Sequence, residues 1–323
     1  MEFFKGDKIY DFMGKRYLFI SISLFLIVAS LILIAVRGFN WGIDFAGGVE
    51  VQVRFEKPVP ISAIRQEISK KFPNASITNF GSKNEFLIRL SVKNASSSVT
   101  NDIGDTIRRE LQKLGKVEIR RVNIVGAKVG GELKEKGIKA FLLAMLGILL
   151  YVAFRFEWRF AVASVIALFH DTIISLGALS LFQIEINLDV LAAVLTLMGY
   201  SLNDTIVVFD RIREQIEMSR GGDLAQHINE AVSKTLSRTV LTSLTTFFVV
   251  LTLFLFGGEI IRPFSFTLLV GIIVGTYSSI FIASPLLIWL KFDIEKYRKK
   301  LMEKRKKREE KEKLRKMYEG GVL

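Results

Sequence analysis

Six runs of mostly apolar residues, of 17 to 28 residues each, fill more than a third of this chain, and each can cross a hydrocarbon core of roughly 30 Å. No soluble core absorbs six such segments. The chain therefore reads as a polytopic α-helical membrane protein, with spans at Tyr17 to Val36, Ile138 to Phe154, Phe160 to Phe182, Leu188 to Phe209, Val240 to Phe256 and Pro263 to Leu290.

Charge sets the expected orientation. Lys5, Lys8, Lys15 and Arg16 precede the first run, and no small-residue cleavage site follows it, so an uncleaved first span with a cytoplasmic N-terminus is expected. Arg155 and Arg159 sit in one short connection and Arg211, Arg213, Arg220, Lys234 and Arg238 near another, whereas Gln183 to Asn187 has no Lys or Arg. These biases put both termini in the cytoplasm of a multi-pass protein in the cell membrane. Trp41, Trp158 and Trp289 fall at expected interfaces.

The expected organisation is a cytoplasmic N-terminus at 1–16, a first span at 17–36, an extracytoplasmic domain at 37–137, spans two to six at 138–290 with a cytoplasmic loop at 210–237, and a basic cytoplasmic tail at 291–323. In the outer domain, Gly42 to Phe55 alternates as one strand, and Ile61 to Phe72 has helical spacing. Ser76 to Phe80 and Glu85 to Val92 make a hairpin across Gly81 to Asn84; Val99 to Leu114 is a second helix and Lys116 to Val125 a last strand. The order β-α-β-β-α-β predicts a ferredoxin-like sandwich.

Inside the 210–237 loop, Arg220 to Gly222 should break the fourth helix. Asp223 with Gln226 then caps a short surface helix striped by Leu224, Ile228, Val232 and Leu236, with His227 solvated off the stripe. The tail carries 14 basic and 7 acidic residues, about half of the whole chain's net +13. It reads as a solvated helix that holds topology and is attracted to anionic lipid, at about 1 kcal/mol per basic residue. Between Arg298 and Lys316 no aromatic residue interleaves to stack on bases, so no nucleic-acid partner is expected.

Chemistry-bearing patterns are few. There is no Cys, no GxxxxGK[ST] loop, and only two distant histidines, so thiol chemistry, that form of ATP binding and a zinc site are not expected. The exceptional residues are charges inside hydrocarbon. Asn203 and Asp204 lie in the fourth span, where a carboxylate costs roughly 2.5 to 3.5 kcal/mol on insertion scales. Gly199, Tyr200, Asn203, Asp204, Val207 and Arg211 share a helical face, with Leu202, Ile206 and Phe209 pointing away.

Arg238 opens the fifth span at the same expected depth as Asp204, with Thr242, Thr245 and Thr246 continuing its side, so the two charges are expected to be able to meet. Hydrocarbon disfavours a carboxylate ion and an arginine favours it, and a group between these tendencies can exchange a proton as helices shift. A static ion pair or plain helix cross-linking is the blander reading. Asp171, on the third span with Ser164 and Ser175, belongs either to the same polar core or to a packing hydrogen bond. Asp189 is read as the cap of the fourth helix. Gly271, Gly275 and Ser279 repeat every four residues, as close helix packing requires, and Ser284-Pro285 should bend the last span.

WGIDFAGG at Trp41 to Gly48, HDTIISLG at His170 to Gly177, GYSLNDTIVVFDRIRE at Gly199 to Glu214 and LSRTVLTSLTT at Leu236 to Thr246 together resemble the SecF family of protein-export subunits, in the resistance-nodulation-division superfamily. The resemblance covers nearly the whole chain. It implies a non-enzymatic auxiliary subunit of the Sec translocase that works with SecD and the SecYEG channel, coupling proton flow to movement of the outer domain as a preprotein is exported. It also implies proton-path roles for Asp204 and Arg238, no cofactor, and H⁺ as the coupling ion. Na⁺ is the alternative ion, since an Asp, an Asn and hydroxyls can coordinate it.

Competing readings make distinct demands. A small-molecule or lipid exporter of the same superfamily would need larger, pocket-forming outer domains than one sandwich. A hydrolase built on His170, Asp171 and a serine lacks a GxSxG-like turn. A passive scaffold would tolerate Asp204→Asn.

Overall fold

The computed structural model describes residues 8–73, 75–90, 97–219 and 221–319; the expectations placed on Lys5, Ser91, Val92 and Arg220 lie outside them. The chain begins with helix α1 (Arg16–Arg37). Next come β1 (Asn40–Trp41), α2 (Ile43–Ala46), β2 (Gly48–Phe55), α3 (Ile61–Ser69), β3 (Ser76–Phe80), β4 (Ser82–Leu90), α4 (Ser97–Gln112) and β5 (Val117–Val125). The remaining elements are α5 (Ala127–Arg155), α6 (Trp158–Phe182), β6 (Glu185–Ile186), α7 (Leu188–Met218), α8 (Leu224–Phe256), α9 (Gly258–Ser278), a π-helical turn (Ser279–Ala283), α10 (Ser284–Trp289) and α11 (Ile294–Glu319). Six helices are long and apolar enough to cross a membrane, the sixth being Gly258–Trp289.

Between the first two spans lies the expected sandwich. Its sheet runs β3-β4-β2-β5, antiparallel throughout, with α3 and α4 on one face. Alternation along β2 sends Val49, Val51, Val53 and Phe55 into a core with Ile64, Ile68, Ile107 and Leu111, and leaves Glu50 and Gln52 on the opposite face. The hairpin is tighter than expected: the chain reverses at Gly81, with φ of 68°, and β4 starts at Ser82. The single strand expected over Gly42 to Phe55 is instead β1, one turn of α2 and β2. Gly47 and Gly48, with φ of 75° and 152°, redirect the chain between them. β1 pairs in parallel with β6, tying the base of the sandwich to the connection between α6 and α7.

In the bundle, α6, α7 and the sixth span form the inside, and α1, α5 and α8 keep most of their surface outward. Small residues allow the close contacts. A Cβ on Gly271 would lie 2.4 Å from Leu197 Cδ1, and one on Gly275 3.0 Å from Ser201 Cβ, so both glycines face α7. Ser279 is buried and donates to Thr276 O at 2.9 Å. The irregularity in the last span precedes Pro285. Proline's missing N–H breaks the i−4 ladder, and the chain widens into the π turn one turn earlier, where Ser284 Oγ reaches Ser279 O at 2.9 Å.

Three expectations are corrected, two at the end away from the sandwich and the third, at Asp189, at the sandwich end. The helix opening at Leu224 is continuous with the fifth span, because no Gly or Pro lies between Leu224 and Phe256. Asp223 does cap it, accepting from Gln226 N at 2.8 Å. His227 is buried, packed beside Gly222. The start of α7 is capped by Asn187, which accepts from Val190 N at 3.0 Å, so Asp189 stands in the first turn rather than at the cap. Asn229 Oδ1 accepts from Phe12 N and Met13 N, both at 2.9 Å, and Arg298 donates to Ile216 O and Ser219 O, so the segment before α1 and the start of α11 both dock on the end of the bundle away from the sandwich.

Candidate functional site

Two carboxylates are buried among the inner helices. Asp204, 3 % exposed on α7, accepts from Ser243 Oγ of α8 at 3.1 Å, and Thr276 Oγ1 of α9 donates to that serine at 2.7 Å. Asp171, fully buried on α6, accepts from Ser201 Oγ of α7 at 2.6 Å and Ser278 Oγ of α9 at 2.8 Å, while His170 Nδ1 lies 2.8 Å from its other oxygen. Each carboxylate thus binds together three helices. Transmembrane hydroxyls ordinarily bond to a carbonyl of their own helix, so three serines aimed at carboxylates mark a built site.

Asn203 and Asp204 part company. Adjacent residues on a helix project about 100° apart, and the buried side of α7 runs through Leu197, Ser201, Asp204, Val208 and Ile212, with Leu202 and Phe209 also covered. Asn203 is on the exposed side, as are Arg238, Thr242 and Thr245 on α8. The hydroxyls of Thr242 and Thr245 return to carbonyls of their own helix, Arg238 O at 3.0 Å and Thr242 O at 2.9 Å. Arg238 forms no ion pair with Asp204; it lines a cavity of about 430 Å³ with Asp210, Arg211, Glu214 and Lys234 at the end away from the sandwich. The expected polar core of Asn203, Asp171, Thr242 and Thr245 is therefore not one cluster. Ser201, Ser243, Thr276 and Ser278 are the hydroxyls that serve the two carboxylates, and sequence reasoning missed them.

His170 Nε2 has no hydrogen-bond partner, so no serine stands where a nucleophile would. Among the described residues no group of His, Asp and Glu is arranged to hold a metal ion.

Residues 106–293 match the family described as "Protein export membrane protein SecD/SecF, C-terminal", and residues 32–59 match the "SecD/SecF GG Motif". The chain is 47 % identical to the protein translocase subunit SecF of Helicobacter pylori strain J99 over 325 residues, covering all of both chains. The chain belongs to the SecF family. It is also 50 % identical to the SecF of Calditerrivibrio nitroreducens over 297 residues, 90 % of this chain and 97 % of that one. The crystal structure of Thermus thermophilus SecDF, described as a translocon-associated membrane protein, superposes with a TM-score of 0.78 at 38 % identity. That match covers 89 % of this SecF-family chain but only 39 % of the SecDF chain, so the chain spans well under half the length of that structure. The stretch that matches the GG motif contains the Gly47-Gly48 junction at the foot of β2, and both buried carboxylates fall in the C-terminal family region.

Proposed function

We propose that this chain is the SecF half of a SecDF-type translocase motor, in which proton flow through the membrane bundle drives movement of the sandwich and so promotes preprotein export through SecYEG. The role is that of a motor subunit rather than an enzyme. The observation that carries it is Asp204, a carboxylate buried in a membrane-spanning helix with two hydroxyls in line behind it. A buried ionisable group that only linked helices could be an amide at lower cost.

The exposed side of α7 and α8 supports a SecD partner. Asn203, Arg238, Thr242 and Thr245 are polar groups on a membrane-facing surface, which lipid solvates poorly and a second bundle would cover. Arg238 then acts at the seam between the two halves, within reach of Asp204 once the helices shift. With the sandwich outside and both termini cytoplasmic, the basic residues of α11 lie against the anionic inner leaflet. H⁺ is the coupling ion in this reading; one charge crossing 100 mV supplies about 2.3 kcal/mol, enough to bias a movement between states a few kcal/mol apart.

The test is preprotein import into inverted vesicles containing this chain and its SecD partner, measured against an imposed proton gradient. Asp204→Asn should assemble normally and lose the gradient-dependent part. Import that responds to the gradient as in wild type would sink the motor reading and leave a passive scaffold. Replacing the proton gradient by a sodium gradient separates the two ions.

A further inference from the structure

His170 and Asp171 are not used by the function proposed above, yet they form the most completely enclosed ionisable pair in the bundle, at 3 % and 0 % exposed. Asp171 Oδ2 takes two serine hydroxyls and Oδ1 faces His170 Nδ1. An ionised carboxylate only accepts, so when Asp171 is ionised the proton of a neutral His170 ring sits on Nδ1 and Nε2 holds a lone pair. That Nε2 is buried and has no partner. The ring lies nearly parallel to Tyr277, with centroids 6.1 Å apart, but the Tyr277 hydroxyl is committed elsewhere, donating to Phe19 O at 2.6 Å.

Among the described residues no Lys or Arg pairs with Asp171. Of the elements packed against α6, α1 carries no charged residue between Arg16 and Arg37, and α5 none between Lys139 and Arg155. α7 brings Asp204 and Tyr200, α9 brings Tyr277, and the π turn and α10 bring no titratable group. In this state the pair leaves one uncompensated negative charge inside hydrocarbon. A proton on His170 Nε2 converts it to an imidazolium–carboxylate pair of zero net charge without moving a helix.

We infer that the His170–Asp171 pair is a second proton-holding site, which takes one proton on His170 Nε2 in series with Asp204. The proton comes from water on one side of the membrane and returns to water on the other, and only N–H and O–H bonds are made and broken. Passage of the Nδ1 proton to Asp171 Oδ1 leaves a neutral acid and a neutral ring protonated at Nε2; the acid proton is handed on once it sits on Oδ2, where a serine takes it and releases its own, and return of the ring proton from Nε2 to Nδ1 restores the starting pair. Ser201 lies three residues before Asp204 on α7, a rise of about 4.5 Å. On α9, Ser278 serves Asp171 and Thr276 serves the hydroxyl beside Asp204, so the two sites are offset along the same helix contact. Proton uptake at His170 stands on this geometry; its place in transport rests on the motor reading.

The chain has two histidines, so His227→Gln leaves His170 as the only one. This variant, labelled with ¹⁵N-histidine and reconstituted with unlabelled SecD partner in lipid vesicles, reports the ring directly by solid-state NMR and needs no substitution at the pair. From about pH 9 to pH 5 the Nε2 signal should move from an unprotonated to a protonated nitrogen, and Asp171→Asn should suppress that change. His170→Gln should lower gradient-dependent import at least about tenfold with the complex assembled. An Nε2 that stays unprotonated throughout, or a titration unchanged by Asp171→Asn, would overturn the inference. So would wild-type gradient dependence in His170→Gln beside its loss in Asp204→Asn. Gradient dependence retained in Asp204→Asn would instead overturn the motor reading, leaving the ¹⁵N titration to decide proton uptake alone.

Discussion

Ser243 Oγ donates to Asp204 Oδ2 at 3.1 Å, the one direct hydrogen bond between the α8 hydroxyls and the carboxylate of α7. A hydrogen bond to a charged group contributes about 1.5 to 3 kcal/mol, and its loss strands a buried acceptor. Ser243→Ala should therefore lower gradient-dependent import by about tenfold or more. Thr252→Ala, which removes an exposed hydroxyl bonded only to Phe248 O of its own helix, should stay near wild type. Import rates of the two variants beside wild type decide this, and equal rates for all three would rule out a role for the Ser243 bond.

How much of this site the sequence discloses depends on the kind of residue. Asp204 and Asp171 stand out because a carboxylate in hydrocarbon is costly wherever it points. Ser243 does not, because nothing local separates it from Thr242, one residue earlier, whose hydroxyl only bonds back to its own helix. Direction around the helix decides between them, and that is a tertiary fact. The same 100° step misled the reading of Asn203 with Asp204 as one face. One available signal was the match of Ser201 to the Leu197, Thr205, Val208 spacing of the apolar side of α7. The sandwich was legible almost throughout, since alternation in β2 and helical spacing in α3 are local patterns. Its entrance was not: Trp41 to Ala46 reads as extended until Gly47 and Gly48 are seen to turn the chain.

Those two glycines make a sharp stability prediction. A Cβ on Gly47 would lie 2.6 Å from Ala127 Cα, and one on Gly48 2.4 Å from Leu90 O, both in backbone conformations that L side chains resist. Gly47→Ala and Gly48→Ala should each destabilise the sandwich by about 2 kcal/mol or more. Gly131→Ala, in α5 with open space around its Cα, should be neutral or stabilising by up to about 1 kcal/mol. Denaturant unfolding of the purified chain, followed through the sheet's signal, tests the contrast.

The helical face of the sandwich should respond to acid. Hydrogen bonds from Lys113 and then Lys71 hold the Glu110 carboxyl down at about 2, and Lys70 and Lys113 likewise lower Glu67. A depressed carboxyl contributes stability that is present above its ordinary value and lost as pH falls through the depressed one. Hydrogen-exchange protection of α3 and α4, corrected for intrinsic exchange, should thus fall between about pH 4.5 and pH 2 in wild type. Glu110→Gln should start lower at neutral pH and lose less on acidification. A wild-type profile that is flat down to pH 2 would remove the electrostatic account of this contact.

The junction between sandwich and bundle should respond in the opposite sense. Arg89 of β4 pairs with Glu50 of β2 at 2.7 Å and with Glu185 of β6, so one guanidinium bridges the sheet to the connection between α6 and α7. Burial pushes the Glu185 carboxyl above its ordinary value, Arg89 opposes this, and Glu50 and Asp44 add to the rise. For an acid shifted upward, the docked arrangement is favoured at low pH and weakens as pH climbs through the raised value. The Gly42 N–H, which donates to Ile186 O at 2.8 Å across this junction, is the reporter. Its protection relative to intrinsic exchange should decline from acid toward neutral pH in wild type. In Glu185→Gln, where no charge is left to bury and Arg89 keeps Glu50, protection should be higher at neutral pH and nearly flat. Arg89→Gln should lose protection at neutral pH, because three carboxylates then face one another without a cation. Loss of protection in Glu185→Gln as large as in Arg89→Gln would show instead that the ion pair holds the junction and that burial of Glu185 is not the dominant influence.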